Sequence, residues 1–149
     1  MNISPAGIAF IERNEGYSAH VYNDNGHEAI GYGHRLQPGE SFPDGVTREE
    51  AQVLLIKDVS MFEAMLAPLV PPDCTQGQWD ALVDFMYNIQ NQPASVKELL
   101  AHGWENVPAQ LPRWCHEQVD GVWKENAGLL DRRNEEAAMF SLAMPSNED

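Results

Sequence analysis

Between Tyr17 and Leu36 the chain changes its hydrophobic pattern, and this change sets the class of fold. Within the segment, aromatic and β-branched residues alternate with an Asn-Asp-Asn-Gly turn and single glycines, which is typical of short strands joined by tight turns. On both sides, apolar residues recur at helical spacing. The pattern therefore predicts an α+β fold in which a small hairpin or three-stranded sheet lies near the N-terminus of a helical domain.

Capping boxes at Thr47 and Thr75, a helix cap at Ser95 and several turn residues place the helices around this sheet. Helices are predicted over residues 5–14, from Thr47 to Pro71, from Thr75 to Ile89, from Ser95 to Gly103, over 107–115 and over 128–143. The helix from Thr47 is the longest and connects the sheet to the remaining helices. We expect residues 1–149 to form one domain, with a β lobe at about 15–46 and a helical lobe at about 47–144 onto which the first helix packs.

The composition argues against two classes of partner. The chain has 23 acidic and 9 basic residues and a net charge of −14, whereas nucleic acids and anionic membranes bind a basic face. No segment approaches the roughly 20 consecutive apolar residues of a membrane span, and the first residues lack the pattern of a signal peptide. Cys74 and Cys115 are expected to be buried thiols, and no cysteine or histidine spacing indicates a metal site or a cofactor.

Two carboxylates flank the start of the strand-like segment. Glu15 ends the first helix against the sheet, where burial would raise the pKa of its carboxyl group and keep a proton available. Asp24 lies in a polar turn and is expected to stay ionised. Glycoside hydrolysis uses such a pair, because one group protonates the leaving oxygen and the other holds a water or stabilises positive charge on the sugar.

The residues around this pair resemble the signature of phage-type lysozymes, the muramidases of glycoside hydrolase family 24. The resemblance includes Glu15-Gly16, Asp24 and Ile30-Gly31-Tyr32-Gly33-His34, then residues 79–88 as a central helix and 128–136 as a Gly-Leu-x-x-Arg-Arg-x-x-Glu segment. It covers roughly residues 4–142 and implies a lysozyme-like fold. It also implies hydrolysis of the β-1,4 bond between N-acetylmuramic acid and N-acetylglucosamine, with Glu15 as general acid and Asp24 as base or charge stabiliser.

Other residues are expected to shape or support the cleft. Tyr32, Tyr87 and Asn88 border it by resemblance, while His34 is expected to be a structural histidine bonded across the hairpin to a carboxylate. Arg132 and Arg133 are expected to be surface or helix-terminal charges, although the resemblance implies that one pairs with Glu15. The tryptophans at helical positions, Trp79, Trp114 and Trp123, are expected to be mostly core residues, with lining of the cleft as the alternative for Trp123.

One position departs from the family pattern. The family usually has Thr directly before Ile-Gly-x-Gly-His, where its hydroxyl helps to hold the attacking water, but this chain has Ala29, and the segment from Asp24 is one residue shorter. Glu28 or His27 could take over the water, or Asp24 could act with backbone groups. Three outcomes stay open: hydrolysis with inversion or retention, lytic transglycosylation, and a weakened enzyme that only binds the cell wall.

These features predict a monomer that acts on peptidoglycan glycan strands, without a nucleic acid or membrane partner. The resemblance implies either a phage endolysin or the catalytic domain of an antibacterial effector. We expect synthesis in the cytoplasm and action in the periplasm or cell wall, after holin-type release or delivery by a secretion system. The acidic charge favours a wall with little anionic polymer.

Overall fold

The predicted sheet forms around a two-residue turn. In the computed structural model, which describes residues 1–90 and 93–142, strands β1 (Ser18–Asp24) and β2 (His27–Gly31) are antiparallel and joined by Asn25 and Gly26. The φ angles of these two residues are 50° and 89°, as a type I′ hairpin turn requires. Strand β3 (His34–Arg35) pairs with the other side of β2 and completes the order β1-β2-β3.

Local capping determines where the first three helices begin. Helix α1 (Pro5–Glu15) starts after Ser4, whose hydroxyl accepts a hydrogen bond from the Gly7 amide. Helices α2 (Arg48–Leu66) and α3 (Gln76–Ile89) start with the predicted capping boxes at Thr47 and Thr75. Helix α3 is buried from Trp79 to Tyr87 and forms the centre of the core.

The C-terminal helices agree with the predictions less closely. Helix α4 (Pro93–Leu100) begins two residues before Ser95, so the prediction that Ser95 caps it is wrong, and Ser95 is instead buried inside the helix. Helix α5 is only Val107–Gln110, and α6 (Ala127–Ser141) is capped by Asn126. The predicted end of the last helix, residue 143, lies outside the described residues. None of the helices within residues 1–90 and 93–142 has the length and apolar character needed to cross a membrane.

A second hairpin lies between the helices predicted over 107–115 and 128–143, in a lobe where no strands were predicted. Strands β4 (His116–Val119) and β5 (Val122–Glu125) are antiparallel and are joined by Asp120 and Gly121, with φ angles of 51° and 79°. Asp-Gly is the same type of turn signal as Asn-Gly in the first sheet. The prediction that Trp123 occupies a helical core position is therefore wrong, because it lies on β5 and is 65% exposed.

The predicted α+β class is confirmed by these helices and sheets, and the first sheet is attached to α2 at two points. Gly31, with φ 68°, approaches so closely that an added Cβ would lie 3.0 Å from Ala51 Cβ. His34 is buried, and its ring nitrogens lie 2.7 Å from Asp58 of α2 and 2.9 Å from Glu40 of the following loop. His34 is thus structural, although its carboxylate partners come from α2 and the loop, not from across the hairpin. The division into lobes at 15–46 and 47–144 stays a prediction.

The prediction that both cysteines are buried thiols agrees with the structure. Cys74 and Cys115 are both buried and free.

We predict that the His34 contacts stabilise the fold in a pH-dependent way. The hydrogen bond to Asp58 raises the pKa of His34, burial lowers it, and the bond to Glu40 raises it again, for a net increase. The stabilisation that the His34 contacts provide is therefore complete below the ordinary histidine pKa of 6.5. It is lost as the pH rises through the higher pKa that His34 has in the folded protein. His34→Gln should lower the free energy of unfolding by about 1–2 kcal/mol at acidic pH and by less at alkaline pH.

Thermal or urea unfolding at several pH values measures this difference. His102→Gln is the matched control, because His102 is exposed and its substitution should change stability little at any pH. A stability difference for His34→Gln that stays constant from acidic to alkaline pH would contradict the prediction.

Candidate active site

Glu15 is the last residue of α1, and the local backbone directs its side chain toward the sheet. Gly16 follows with φ 71° and ends the helix. The Glu15 side chain is only 19% exposed. Gly33, with φ 88°, passes so near that an added Cβ would lie 3.2 Å from Glu15 Oε2. The glycine at position 33 therefore permits the close approach of the β2–β3 turn to this carboxyl group.

The surroundings of Glu15 favour its protonated form. Burial raises the pKa of the carboxyl group, the Arg132 guanidinium lowers it, and the carboxylates of Asp84 and Asp24 raise it, for a net increase. The expected effect of burial on Glu15 is thus present in the structure. A carboxyl group that keeps its proton at higher pH can protonate a leaving group.

Arg132 fixes the position of Glu15. Its NH1 donates to Glu15 Oε1 at 2.8 Å, while Nε and NH2 donate to the two carboxylate oxygens of Asp84 at 2.9 and 2.7 Å. Arg132 is 6% exposed. The prediction of a surface charge is wrong for this residue, whereas the pairing with Glu15 that the resemblance implied is present.

Arg133 is also buried, so the surface prediction is wrong here too. It donates a short hydrogen bond to Asn88 Oδ1, forms an ion pair of 3.2 Å with Glu136 and lies over the Phe85 ring, with 4.9 Å between Cζ and the ring centroid. Glu136 is fully buried. Burial, with a further contribution from Asp84, raises the pKa of Glu136 well above its ordinary value. Asn88 is therefore tied to α6 at the edge of the cleft.

Two of the predicted tyrosines support the cleft from below. The Tyr87 hydroxyl donates to the Tyr32 backbone carbonyl at 2.6 Å, and this bond is buried. The Tyr32 ring packs against Tyr17 with 5.7 Å between the centroids. An added Cβ on Gly33 would lie 3.5 Å from the Tyr87 hydroxyl as well as near Glu15. Tyr87 therefore holds the glycine turn against the catalytic candidate.

The register of the hairpin separates the two candidates for holding water. Asp24 pairs with His27, and Tyr22 pairs with Ala29. Because directly paired residues share a face and neighbours along a strand alternate, these four side chains lie on one face of the sheet. Glu28, one residue from His27, lies on the opposite face. The register thus favours His27 over Glu28 near Asp24, and the role itself stays a prediction.

Tyr22 is a site residue that the sequence reasoning did not single out. It lines a shallow pocket together with Glu15, Gly16, Tyr17 and Ser18. Burial raises the pKa of its hydroxyl, and the carboxylates of Asp24 and Glu15 raise it further. The sequence feature that could have identified Tyr22 is its position two residues before Asp24 on a predicted strand, which places both side chains on the same face. The Tyr22 hydroxyl therefore interacts electrostatically with the carboxyl groups of both Asp24 and Glu15.

The histidines, cysteines and carboxylates do not form a metal-binding cluster in the part of the chain that the structure describes. Within residues 1–90 and 93–142, no three of these side chains are placed to hold a metal ion. The acidic pair at the site is instead accompanied by the Arg132 guanidinium.

Comparisons with known proteins agree with this geometry. A family model described as phage lysozyme matches residues 12–136. The endolysin of Acyrthosiphon pisum secondary endosymbiont phage 1 is 30% identical over 150 residues, covering 96% of this chain and 100% of that protein. The endolysin of Bacillus phage PZA is 34% identical over 154 residues, which cover 99% of this chain and 58% of that protein.

A solved structure shows the same fold. The muramidase domain of SpmX from Asticaccaulis excentricus superposes with a TM-score of 0.81 and 27% identity, covering 95% of this chain and 99% of that domain. The family match covers most of the chain and includes Glu15, Asp24 and the buried arginines. The chain therefore belongs to the phage lysozyme family.

Proposed function

We propose that this lysozyme-type glycoside hydrolase cleaves the β-1,4 bond between N-acetylmuramic acid and N-acetylglucosamine, with Glu15 as the general acid. The observation that carries the assignment is the half-buried Glu15 carboxyl group, with a raised pKa, held by Arg132 near the Asp24 carboxylate. The family relationship supports peptidoglycan as the substrate class.

The reaction needs one proton donor and one group that directs water. Glu15 donates its proton to the glycosidic oxygen as the bond from that oxygen to the sugar C1 breaks. Asp24 stabilises the positive charge that develops on the sugar and accepts a proton from the attacking water, whose oxygen forms the new bond to C1. The proton then returns from Asp24 to Glu15 through solvent.

The Tyr22 hydroxyl is the group we assign to hold this water in place of the usual threonine. Tyr22 lies directly across the hairpin from Ala29, and its hydroxyl interacts electrostatically with both carboxylates. The small Ala29 side chain, which is fully buried, leaves room for an aromatic ring on that face. A phenolic hydroxyl can both accept a hydrogen bond from water and donate one. His27 lies on the same face and is the alternative.

The wider setting follows from the same proposal. The enzyme acts as a monomer on the glycan strands of the cell wall, without a nucleic acid or membrane partner, as a phage endolysin or as an antibacterial effector domain. It reaches the periplasm or wall after holin-type release or through a secretion system. The net charge of −14 supports a wall that is poor in anionic polymer.

Loss of the Glu15 carboxyl group is expected to abolish most of the activity. Glu15→Gln keeps the shape and the hydrogen bond to Arg132 but cannot donate the proton, so clearing of purified peptidoglycan should slow by about 10²–10⁴-fold. Glu12→Gln is the matched control, because Glu12 lies on the same helix and bonds to Gln52 away from the site. Equal turbidity loss for Glu15→Gln and the parent would refute the assignment.

Removal of the Tyr22 hydroxyl is expected to slow the chemical step. Tyr22→Phe should lower kcat about tenfold, which corresponds to the loss of one hydrogen bond, with little change in KM. Adding Ala29→Thr to this variant should restore part of kcat, because threonine brings a hydroxyl to the paired position. Full activity of Tyr22→Phe together with loss of activity in His27→Ala would transfer the water-holding role to His27.

Hydrolysis and transglycosylation leave different products. A muramidase that uses water should release muropeptides with reducing N-acetylmuramic ends, whereas a lytic transglycosylase would leave 1,6-anhydro-muramic ends, because the sugar's own hydroxyl attacks. Mass spectrometry of the soluble products measures the ratio, and reducing ends should dominate. A majority of anhydro ends would show that the vacancy at Ala29 excludes water.

A further inference from the structure

Asp84 is a buried carboxylate to which the proposed mechanism gives no role. It lies within α3 and is 1% exposed, so a bound substrate cannot contact it. A buried carboxylate is costly unless a cation and hydrogen bonds compensate its charge. The Arg132 guanidinium supplies both, with hydrogen bonds of 2.9 Å from Nε to Oδ2 and of 2.7 Å from NH2 to Oδ1. Asp84 can therefore influence the reaction only through the groups around it.

The pairing with Asp84 determines which part of the Arg132 guanidinium group binds Glu15. The three nitrogen atoms of a guanidinium group lie in one plane, and the Asp84 carboxylate occupies the edge formed by Nε and NH2. NH1 is the nitrogen that donates to Glu15, at 2.8 Å from Oε1. Without Asp84, the guanidinium group would be free to bind the Glu15 carboxylate through two nitrogens, the geometry that arginine and carboxylates frequently adopt.

The face of α3 that includes Asp84 is fixed to the rest of the active site by two further side chains. Tyr87 and Asn88 follow Asp84 by three and four residues, so the three side chains lie on one face of the helix. The Tyr87 hydroxyl donates to the Tyr32 carbonyl, and Asn88 accepts a hydrogen bond from Arg133. This face therefore connects to both the β2–β3 turn and α6, and the same packing places Asp84.

Charged and titratable groups act on Glu15 from three elements. They are Arg132 and Arg133 of α6, Asp84 and Tyr87 of α3, and Asp24 and Tyr22 of β1. Burial raises the pKa of both tyrosine hydroxyls above the ordinary value of 10.0, so they are uncharged where a glutamate titrates. Both arginines stay cationic, because a guanidinium group keeps its proton in proteins. The carboxylates of Asp84 and Asp24 therefore oppose the arginines, and both raise the pKa of Glu15.

We propose that Asp84 is a positioning residue for the reaction, which binds two donors of Arg132 so that Glu15 receives one hydrogen bond and keeps the proton that it must donate. The Asp84 charge also offsets the charge of Arg132, which would otherwise stabilise the Glu15 carboxylate. A purely structural ion pair would affect only stability, whereas this role makes the pH dependence of activity depend on Asp84. The assignment rests on the proposed muramidase function.

The test measures the pH dependence of kcat/KM on soluble peptidoglycan fragments, which reports the pKa of the acid in the free enzyme. Asp84→Asn keeps the shape of the side chain but removes its charge, so Arg132 compensates Glu15 more fully and the pKa of Glu15 falls. Activity should therefore decline at a lower pH than in the parent, with a loss of about tenfold at the alkaline end and little change at the acidic end. Asp84→Ser should move the profile in the same direction.

Asp80→Asn is the matched control for the loss of a buried carboxylate from α3. Asp80 lies one turn before Asp84 and is 4% exposed. It accepts hydrogen bonds from Ser4 and Gln76, and Ser4 precedes α1, whereas Glu15 lies at the other end of that helix. Asp80→Asn should therefore lower the free energy of unfolding without moving the pH profile of activity.

The outcomes separate this proposal from the function on which it rests. A parent protein that cleaves no peptidoglycan contradicts the proposed function, and carbon-13 NMR titration of the Glu15 carboxyl group then tests the role of Asp84 directly. The parent should give a pKa above the ordinary 4.5, and Asp84→Asn should lower it. The proposal is overturned by an equal loss of activity at every pH, by the same shift for Asp80→Asn, or by a parent pKa at or below 4.5. The parent titration needs no variant, so it decides even if neither Asp84 variant folds.

Discussion

One buried guanidinium group connects the elements that build the active site. Arg132 of α6 binds Asp84 of α3 through two hydrogen bonds and Glu15 of α1 through a third. Its planar group has donors in a fixed arrangement, so the position of Glu15 is determined by the packing of α6 on α3. The catalytic candidate is therefore placed by the helical core, and the sheet only has to bring Asp24 and the Gly33 turn to it.

The same cluster sets the balance of charge around Glu15. Two guanidinium groups, Arg132 and Arg133, lie near three carboxyl groups, those of Glu15, Asp84 and Glu136. Burial raises the pKa of Glu136, and Arg132 is shared between Asp84 and Glu15. Because Asp84 takes two of the hydrogen bonds, Arg132 compensates Glu15 only in part, and burial raises the pKa of Glu15 despite the ion pair. If Arg132 paired with Glu15 alone, the ion pair would favour the ionised form of Glu15, which cannot act as the acid.

Local chemistry was predictable from the sequence, whereas long-range pairing was not. The Asn25-Gly26 turn and the capping boxes at Thr47 and Thr75 depend on residues within a few positions, and all three were predicted correctly. The burial of Arg132 depends on partners 48 and 117 residues away, so its sequence neighbours contain no sign of it. The second hairpin was missed although Asp120-Gly121 has the same turn chemistry, because its strands are only four residues each and were too short for alternation to stand out.

The length of the first hairpin determines which residue lies opposite Ala29. Only Asn25 and Gly26 form the turn, and Asp24 pairs directly with His27. In this register the residue opposite position 29 is Tyr22, whose side chain shares a face with Asp24. A large aromatic ring next to a second large side chain would crowd that face, whereas alanine accommodates it. The two-residue turn thus fixes a register in which Tyr22 lies opposite the small Ala29 and on the same face as Asp24.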